Sequence, residues 1–468
     1  MYGFEIDKEL SVSAAKQLAQ QIRSAVLSGV LPAGEKMPPT RSLAAELHIA
    51  RNTVIEVYEQ LLSEGYLVSK VGSGTFVARL GTLPLPRTMP PELGHSSGRK
   101  PKKNLIVFDP GSPDCTAFPQ ALWARLIKEA CLDADNSTFG YPSTGAGTAA
   151  LQAALCSYLY RMKGIMCSEA QVVIVPGTYN ALQLIAKVLY RESCTAAVED
   201  PCMPFVRQAF TESGYGLIPI EVDAYGMITD KLNPRDSVRA IYVVPSHQFP
   251  IGGVLPAARR VELLQYAAEK DAYVIEDDYD GEIRYEGEPI QPLHRLNAEH
   301  VIYLGSFSKI FSPALRIAYL ILPWQLKDKV VRRMELANIW SGIIEQLALA
   351  RLLEERLLDK HIYRTKKLYE AKRRLLMHCL RQEFGEQVNV SGENAGMHLL
   401  ASFDRPLTSE DFHRFTELGV EVDGVESFAL TKGSHCHQLV LGYGNLNEQQ
   451  IHEGVLRLKR ALNKIDTI

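Results

Sequence analysis

Short apolar runs that alternate with helical segments dominate the chain from residue 104 onward. The segments V-V-I-V-P-G-T, A-I-Y-V-V-P, A-Y-V-I-E-D-D-Y and V-I-Y-L-G-S-F-S-K each predict a strand, and helical segments separate them. Strands that are apolar on both faces are typical of a mostly parallel sheet covered by helices. The pattern predicts an α/β domain over residues 104–468, in which ligands bind beyond the strand ends.

The first eighty residues have a different pattern. Apolar residues at helical spacing predict a helix in A-A-K-Q-L-A-Q-Q-I-R-S-A-V-L-S-G. Two more helices are predicted in T-R-S-L-A-A-E-L, with Thr40 as the N-cap, and in A-R-N-T-V-I-E-V-Y-E-Q-L-L-S-E-G. The segment Y-L-V-S-K-V-G-S-G-T-F-V-A predicts two short strands around a glycine turn. Residues 11–79 are therefore predicted to form a winged helix-turn-helix, mainly α with a β-wing.

Residues 80–103 are rich in proline, glycine and serine and end in the basic cluster R-K-P-K-K. They have no helical or strand period, so they are predicted to be a linker between the two domains. A chain of 468 residues with 46% hydrophobic residues is long enough for more than one core. The formal net charge of -3 does not by itself indicate a nucleic-acid partner.

Several classes of protein are not expected. The chain begins without a signal-like apolar segment and contains no apolar run of the roughly 20 residues that a membrane helix needs. Its eight cysteines are scattered without a C-x-x-C pair, which predicts reduced thiols and a cytoplasmic protein. The run His435 to His437 alternates between the faces of a strand, so no metal site is predicted there.

The winged helix-turn-helix contains residues suited to DNA. A recognition helix places its N-terminal side chains at base edges, and Arg51, Asn52 and Thr53 open the third helix. Arg41 opens the second helix, where the positive helix end favours a phosphate. The wing residues expected to reach the DNA are Lys70, Ser73 and Thr75. Each residue taken alone could be an ordinary polar surface residue, and the order of the parts is what favours operator DNA.

A lysine stands in a loop of small residues in G-S-F-S-K-I-F-S-P-A-L-R-I-A-Y-L-I, between two strand-like runs. Pyridoxal 5'-phosphate (PLP) requires a lysine for its imine, a carboxylate against its pyridine nitrogen, a donor to its phenolate oxygen and a phosphate site. Lys309 and Asp277 meet the first two requirements. Tyr279 lies two residues beyond Asp277 on the same face of an extended segment, so it is predicted to be the phenolate donor.

The predicted phosphate site lies where a strand turns into a helix. Gly177, Thr178 and Tyr179 stand at this junction, where free amides and the helix dipole can receive an anion. Ser306 and Arg316 flank the lysine and complete the site. A lone lysine after a strand is usually a surface charge, and an acidic run such as E-D-D-Y-D is usually a solvated loop or a metal site. The combination, each member at a strand end, predicts a PLP site.

The run P-P-T-R-S-L-A-A-E-L-H-I-A-R-N-T-V-I-E-V-Y-E-Q-L-L-S-E-G-Y-L resembles the DNA-binding domain of the GntR family of bacterial regulators. The segments V-V-P-S-H-Q-F-P-I-G, V-I-E-D-D-Y-D and G-S-F-S-K-I-F-S-P-A-L-R-I resemble fold-type I aminotransferases, and the whole chain resembles the MocR/GabR-type regulators. The resemblance implies a PLP-dependent transferase fold in which Lys309 forms the Schiff base, Asp277 meets the pyridine nitrogen and Tyr279 the phenolate. It also implies a head-to-tail homodimer.

The chain departs from the aminotransferase pattern at two places near the cofactor. An asparagine before proline contacts the phenolate in those enzymes, whereas Phe249 precedes the proline here; His247 or Gln248 is the predicted substitute. A glycine-tyrosine pair that can stack on the cofactor is replaced by Cys202 and Met203.

Two further positions concern the effector. Arg207 keeps its expected place and is predicted to bind an effector's carboxylate. The C-terminal L-V-L-G-Y-G-N-L has Gly444 and Asn445 where aminotransferases and amino-acid-sensing regulators are expected to carry an arginine clamp. Asparagine cannot replace a bidentate guanidinium–carboxylate pair. The cofactor itself, or a ligand related to vitamin B6 metabolism or to cell-wall amino acids, is therefore expected as effector.

Three functions are consistent with these features. The first is a transcription regulator that binds operator DNA and senses PLP, or an amine linked to PLP, without physiological turnover. The second is an active aminotransferase with a DNA-binding appendage, which requires the missing clamp. The third is a DNA-binding protein whose large domain is a dimerisation scaffold, which the joint presence of Lys309, Asp277, Tyr279 and Arg316 disfavours.

Overall fold

The computed structural model describes residues 3–7, 10–80, 104–141, 145–287 and 290–463. The chain divides into two compact units, Met1–Lys100 and Pro101–Ile468. The predicted linker over residues 80–103 lies outside the described residues except for Leu80.

The smaller unit contains three helices followed by a two-stranded antiparallel sheet. Its elements are α1 (Ala14–Leu27), α2 (Thr40–Glu46), α3 (Arg51–Ser63), β1 (Leu67–Lys70) and β2 (Gly74–Val77). Apolar side chains at helical spacing form one buried core that ties the helices to the hairpin, among them Leu18, Ile22, Leu43, Val57, Leu61, Leu67 and Val77. The winged helix-turn-helix fold is confirmed.

The predicted cap of the second helix is wrong. Thr40 is the first residue inside α2, and Pro39 occupies the N-cap position without a side-chain hydrogen bond to the helix. Proline at this position has an extended backbone with φ -55° and ψ 141°, and it lacks a side-chain acceptor.

The helices of the larger unit are α4 (Gln120–Asp133), α5 (Ala149–Lys163), α6 (Thr178–Leu189), α7 (Pro204–Thr211), α8 (Ala257–Glu269), α9 (Trp324–Ala337), α10 (Ile343–Glu354), α11 (Leu357–Phe384), α12 (Ser409–Glu417) and α13 (Glu448–Leu462). Its strands are β3 (Ile106–Val107), β4 (Val172–Val175), β5 (Thr195–Asp200), β6 (Gly216–Asp223), β7 (Gly226–Met227), β8 (Val238–Val243), β9 (Tyr273–Asp278), β10 (Val301–Ser306), β11 (Ala318–Ile321), β12 (Val388–Ser391), β13 (His398–Phe403), β14 (Val420–Glu421), β15 (Asp423–Gly424) and β16 (Gln438–Gly442).

The central sheet of the described residues has eight strands in the order β4-β11-β10-β9-β8-β5-β6-β7. The neighbours from β10 to β6 pair in parallel, whereas β11 runs antiparallel to both β10 and β4. The strands β4, β8, β9, β10 and β11 are buried at nearly every position because helices cover both faces. The mostly parallel α/β sheet predicted from the sequence is confirmed.

A second, antiparallel sheet has the order β12-β13-β16-β15 and belongs to the C-terminal part of the unit. Apolar residues of β13 and β16 pack with α11 and α13 in the same buried cluster that covers one face of the central sheet. A short parallel pair, β3 with β14, joins the beginning of the unit to this part.

The eight cysteines are free thiols, in agreement with the absence of a disulfide pattern. Two of them meet without any sequence motif that predicts it: the sulfur atoms of Cys156 and Cys167 lie 3.5 Å apart. Among the described residues no helix is long and apolar enough to cross a membrane.

Gly305 in β10 tests how tightly the central sheet is packed. A methyl group there would lie 2.3 Å from Cζ of Tyr319, whose buried ring belongs to the neighbouring strand. We expect Gly305→Ala to lower the free energy of unfolding by about 1–3 kcal/mol because overpacking displaces that ring. Thermal unfolding measures the effect, and Gly216→Ala on β6, at a more open strand position, is the control. Equal melting temperatures for the two variants would contradict the prediction.

Candidate functional site

A cavity of about 320 Å³ lies beyond the carboxyl ends of the parallel strands of the larger unit. The loops that follow β4, β5, β8, β9 and β10 all reach it, as expected for an open α/β sheet. The residues that line it are Pro110, Gly111, Thr178, Tyr179, Cys202, Met203, Phe205, Tyr242, Val244, Phe249, Asp277, Tyr279, Ser306, Ser308, Lys309, Pro313 and Arg316. The structure thus brings together Lys309, Asp277, Tyr279, Thr178, Tyr179, Ser306 and Arg316 of the predicted cofactor residues.

Lys309 reaches into the cavity from the loop after β10. Its Nζ donates a hydrogen bond to the carbonyl oxygen of Gly111. Burial lowers the pKa of the Lys309 amine, against the opposing influence of the Asp109, Asp280 and Asp277 carboxylates. A lysine amine whose pKa is lowered by burial is more readily available as the neutral nucleophile that attacks an aldehyde.

Asp277 is the carboxylate at the base of the cavity. It is 3% exposed, and its Oδ2 accepts a 2.7 Å hydrogen bond from the hydroxyl of Tyr242. Its other oxygen, Oδ1, is buried and has no hydrogen-bond partner among the described residues. Burial raises the pKa of Asp277 to about 7, and hydrogen bonding by Tyr242 only partly offsets this. A buried carboxylate with one free oxygen suits a protonated ring nitrogen.

Tyr279 lines the cavity next to Asp277. Its hydroxyl lies 3.2 Å from Nδ1 of His247 and donates over 3.3 Å to the carbonyl oxygen of the same residue. Burial and the nearby Asp280 charge raise the pKa of the Tyr279 phenol well above its usual value. The phenol therefore stays protonated and can donate a hydrogen bond.

The opposite end of the cavity can hold an anion. Gly177 precedes α6 with a φ of +95°, and a methyl group there would lie 2.9 Å from Nη2 of Arg316. Glycine therefore allows the guanidinium to approach the first turn of α6, where the amides of Thr178 and Tyr179 have no acceptor within the helix. Gly177 itself is not among the residues that line the cavity.

Two serines near the lysine in the chain, Ser306 and Ser308, also line the cavity. The Ser306 hydroxyl donates to Oγ of Ser308 over 3.0 Å and accepts from the Ser308 amide over 3.1 Å. Tyr179 has its hydroxyl bonded to Glu212 at 2.8 Å, so that hydroxyl is engaged away from a phosphate.

His247 and Gln248, the predicted substitutes for the missing asparagine, do not line this cavity. Gln248 is fully buried, and its amide nitrogen donates to the carbonyl oxygens of Pro201 and Phe249 at 3.0 and 2.7 Å. It thereby holds the turn around Phe249. His247 lies behind Tyr279 and contacts that hydroxyl rather than the cavity.

Sequence reasoning missed several residues of the site. Tyr242 lies in a strand that the sequence marks as apolar on both faces, so its hydroxyl bond to Asp277 had no local signal. Ser308 was adjacent to a predicted residue and could have been found from its position in the lysine loop. Gly111 comes from a loop 198 residues earlier in the chain, which no local motif connects to Lys309.

The residues predicted to govern the effector lie outside the cavity wall. Arg207 is half-buried on α7 and does not line the cavity. Asn445 is exposed and donates to the carbonyl oxygen of Val107 at 3.0 Å, and the carbonyl of Gly444 accepts from Lys372 at 2.8 Å. Neither Gly444 nor Asn445 lines the cofactor cavity.

The wall next to Phe249 is apolar instead. Val440 of β16 is fully buried in a cluster with Phe249, Leu400, Val425 and Phe428, and Met203 and Tyr279 pack against the cluster. The rings of Phe249 and Phe428 meet edge to face with centroids 5.1 Å apart. The strand that precedes Asn445 therefore presents an aliphatic side chain to this end of the site.

The predicted DNA contacts lie on the smaller unit. Arg51 and Asn52 are exposed and Thr53 is half-buried at the N-terminus of α3, and Arg41 is exposed in the first turn of α2. On the wing, Lys70 and Ser73 are exposed and Thr75 is half-buried. The Lys70 ammonium lies 4.8 Å from the ring centroid of Phe76, which holds it on the hairpin.

The described residues fit the requirements of PLP. The free oxygen of Asp277 can pair with a pyridinium nitrogen, the amine of Lys309 can bond to an aldehyde carbon, and the junction of Gly177 with Arg316 can receive a phosphate. No group of three or more His, Cys, Asp or Glu side chains suited to a metal ion occurs in the part of the chain that the structure describes.

Comparison with protein families matches both units. Residues 14–77 match the family described as bacterial regulatory proteins, gntR family, and residues 100–435 match aminotransferase class I and II.

Curated relatives match most of the chain. The chain is 32% identical to the probable rhizopine catabolism regulatory protein MocR of Rhizobium meliloti, over 99% of this chain and 96% of that protein. It is also 32% identical to the pyridoxine biosynthesis transcriptional regulator PdxR of Corynebacterium glutamicum, over 84% of each chain. The larger unit is similar to the solved kynurenine aminotransferase of Pyrococcus horikoshii, with a TM-score of 0.72 and 26% identity over 78% of this chain and 93% of that one.

Asp277 gives the cofactor-free protein a defined pH dependence. Its pKa of about 7 in the folded chain lies above its ordinary value of 3.8, so the folded state holds a proton that the unfolded state loses between these values. Stability should therefore fall as the pH rises from 5 to 7. We expect Asp277→Asn to reduce this loss by about 1 kcal/mol per pH unit.

Urea unfolding of both cofactor-free proteins at several pH values between 5 and 7 measures the difference. Burial also raises the pKa values of the Glu199 and Glu276 carboxyls. Glu276 contributes equally in both proteins, whereas the Asp277 charge adds to the raised pKa of Glu199, so the measured difference includes this coupling. Identical pH dependence in the two proteins would contradict the assignment of the raised pKa to Asp277.

Proposed function

The chain belongs to the GntR family of bacterial regulatory proteins, among its MocR-type members, and we propose that it regulates transcription in response to pyridoxal 5'-phosphate. One observation carries the proposal: a GntR-type winged helix-turn-helix shares its chain with a cavity on which Lys309, Asp277, Tyr279 and Arg316 converge. We infer that the cavity binds the effector and that the winged helix-turn-helix unit binds the DNA.

When bound, PLP supplies an aldehyde that bonds to an amine and a ring that withdraws electrons from that bond. Lys309 provides the amine. Asp277 pairs with the ring nitrogen through its free oxygen, and Tyr279 donates to the phenolate oxygen. Arg316 and the first turn of α6 hold the phosphate. A cavity with a purely structural role would not need this combination of residues.

The cavity favours the cofactor itself, or an amine without a carboxylate, as the effector. Among the described lining residues the cations are Lys309 and Arg316, and these serve the aldehyde and the phosphate. The adjoining wall around Phe249 and Val440 is apolar and offers no partner to a carboxylate. The role of Arg207 as a carboxylate partner stays a proposal from the sequence, because this residue lies outside the cavity wall.

The same observation disfavours the second hypothesis, an active aminotransferase. Transamination requires each amino acid to be held by its carboxylate while its amine reacts, and a bidentate arginine is the usual means. The regulator of pyridoxine biosynthesis among the relatives acts, by its name, in the metabolism of the same vitamin. We infer a protein that reads the supply of PLP or of an amine linked to it.

Operator DNA and a second copy of the chain are the proposed partners. The head-to-tail homodimer implied by the family resemblance would present two winged helix-turn-helix units to a two-part operator. A cytoplasmic location is part of the same proposal. An effector alters DNA binding only if it binds the two states of the protein with different affinity.

Lys309→Ala tests the cofactor bond. We expect the wild-type protein to acquire a near-visible absorption band when it is incubated with PLP, and the variant to show none beyond that of free cofactor, because the amine is gone. Lys360→Ala, an exposed lysine of α11, is the control and should keep the band. Persistence of the band in the Lys309 variant would refute the assignment.

Arg51→Ala tests the recognition helix. We expect binding to a DNA fragment from the chain's own promoter to weaken by about 1–3 kcal/mol if the guanidinium contacts guanine in a bidentate manner. Fluorescence anisotropy at one fixed salt concentration measures it. Lys16→Ala, an exposed cation on α1, should change the affinity little. Equal affinities of the Arg51 variant and the wild type would show that α3 does not contact the bases.

A further inference from the structure

A buried histidine–aspartate pair stands behind Tyr279 and is not explained by direct cofactor contacts. Nδ1 of His247 lies 2.8 Å from Oδ2 of Asp280, and each of the two side chains is 1% exposed. Neither residue lines the cofactor cavity. Removing two such groups from water is costly unless their interaction serves the structure or the site.

The pair touches the cofactor site through one atom. The hydroxyl of Tyr279 lies 3.2 Å from the same Nδ1 atom of His247, and 3.3 Å from the His247 carbonyl oxygen. A ring nitrogen has either one hydrogen or one lone pair, so Nδ1 serves one strong hydrogen bond at a time. Asp280 and Tyr279 therefore compete for it.

Asp280 holds the shorter contact. Whichever of the two groups carries the shared proton, the bond to Asp280 occupies Nδ1, so that atom cannot accept the hydrogen of Tyr279. The tyrosine keeps the longer contact to the His247 carbonyl, and the adjacent Asp280 carboxylate helps to raise the pKa of its phenol, so the hydroxyl stays protonated and can donate to an oxygen in the cavity.

We propose that Asp280, acting through His247, is a positioning residue that keeps the Tyr279 hydroxyl as a hydrogen-bond donor to the phenolate oxygen of bound PLP. The inference rests on the proposed function, because it presumes that PLP occupies the cavity. The sequence predicted that His247 or Gln248 would contact the phenolate directly. In this inference His247 affects that contact only through Tyr279.

The surrounding backbone leaves room for this pair and for nothing larger. Gly396 lies against it with a φ of +73°, and a methyl group there would come within 2.3 Å of Cε1 of His247 and 2.5 Å of Oδ2 of Asp280. Hydroxyls of Tyr285 and Tyr443 both donate to the Gly396 carbonyl, at 2.7 and 2.8 Å, and fix this segment. The Gly396 segment therefore helps to hold the pair in place.

Other charged groups also face the site and must be matched in any test. The carboxylates of Asp109, Asp277 and Asp280 each raise the pKa of the Lys309 amine, in opposition to burial. His398 stacks on His247 with ring centroids 5.0 Å apart, and burial lowers its pKa to about 3, so it is neutral near neutral pH. A useful pair of variants therefore consists of two that both remove the Asp280 charge, of which only one can still hydrogen-bond to His247.

Asp280→Ala and Asp280→Asn form such a pair. Alanine leaves Nδ1 free to accept the Tyr279 hydrogen, whereas asparagine can still occupy Nδ1 through either its oxygen or its amide. The measured quantity is the pH midpoint of the near-visible absorption change of the PLP-loaded protein, which reports the proton on the nitrogen that joins Lys309 to the cofactor. A donor to the phenolate oxygen weakens the hold of that oxygen on this proton, so losing the donor raises the midpoint.

We expect the midpoint of Asp280→Ala to lie above that of Asp280→Asn by about one pH unit, the size of one hydrogen bond to a charged oxygen. Tyr279→Phe, which lacks the donor, should raise the midpoint by at least as much. Combining Tyr279→Phe with Asp280→Ala should not raise it further than Tyr279→Phe with Asp280→Asn, because Asp280 acts through the tyrosine. Asp280→Leu has the same expectation as alanine, should the alanine variant not fold.

The outcomes separate this inference from the proposed function. A wild-type protein without a near-visible band would refute PLP binding and the inference together. A band in the wild type with equal midpoints in the alanine and asparagine variants would overturn only the role of Asp280. The same conclusion follows if the difference between these two variants persists unchanged in the Tyr279→Phe background.

Discussion

Parallel pairing of the central strands is the constraint on which the rest of the larger unit depends. Because β8, β9 and β10 are hydrogen-bonded in parallel, their carboxyl ends lie at one edge of the sheet. That edge carries Asp277 at the end of β9 and Lys309 in the loop after β10. A small slip in register would separate the carboxylate from the amine, so the packing of the two sheet faces also fixes the chemistry.

Several acidic side chains lie at this edge, and each has different hydrogen-bond or ion-pair partners. Asp278 is paired with the buried ammonium of Lys163 at 2.8 Å, and Glu276 accepts from the amides of Leu293 and His294. Asp280 is bonded to His247. Asp277 and Asp280 each have a buried oxygen without a partner among the described residues, but of the four only Asp277 lines the cofactor cavity, which is why it suits a cationic ligand.

A residue's role in the site could be predicted where that role follows from the few residues around it in the sequence. The lysine loop, the strand that ends in Asp277 and the junction at Gly177 each have a local signature, and each reaches the site as the pattern indicates. His247 and Gln248 were ambiguous, because their spacing allowed either to face the phenolate. In the structure Gln248 donates a hydrogen bond within the turn around Phe249, and His247 contacts the Tyr279 hydroxyl instead of the cavity. The Thr40 cap was wrong because the helix begins one residue earlier than predicted, which places Thr40 inside its first turn and Pro39 at the N-cap.

The sequence by itself determined the two units and the class of each fold, and it predicted the lysine, carboxylate and tyrosine of the proposed PLP site, because strand periodicity and helix-start chemistry act over a few residues. Only the tertiary structure decided which distant groups meet them. The contacts of Tyr242 with Asp277, of Gly111 with Lys309 and of Asp280 with His247 join segments between 33 and 198 residues apart. Such contacts depend on strand order and on the packing of loops at the sheet edge, and no local pattern specifies either.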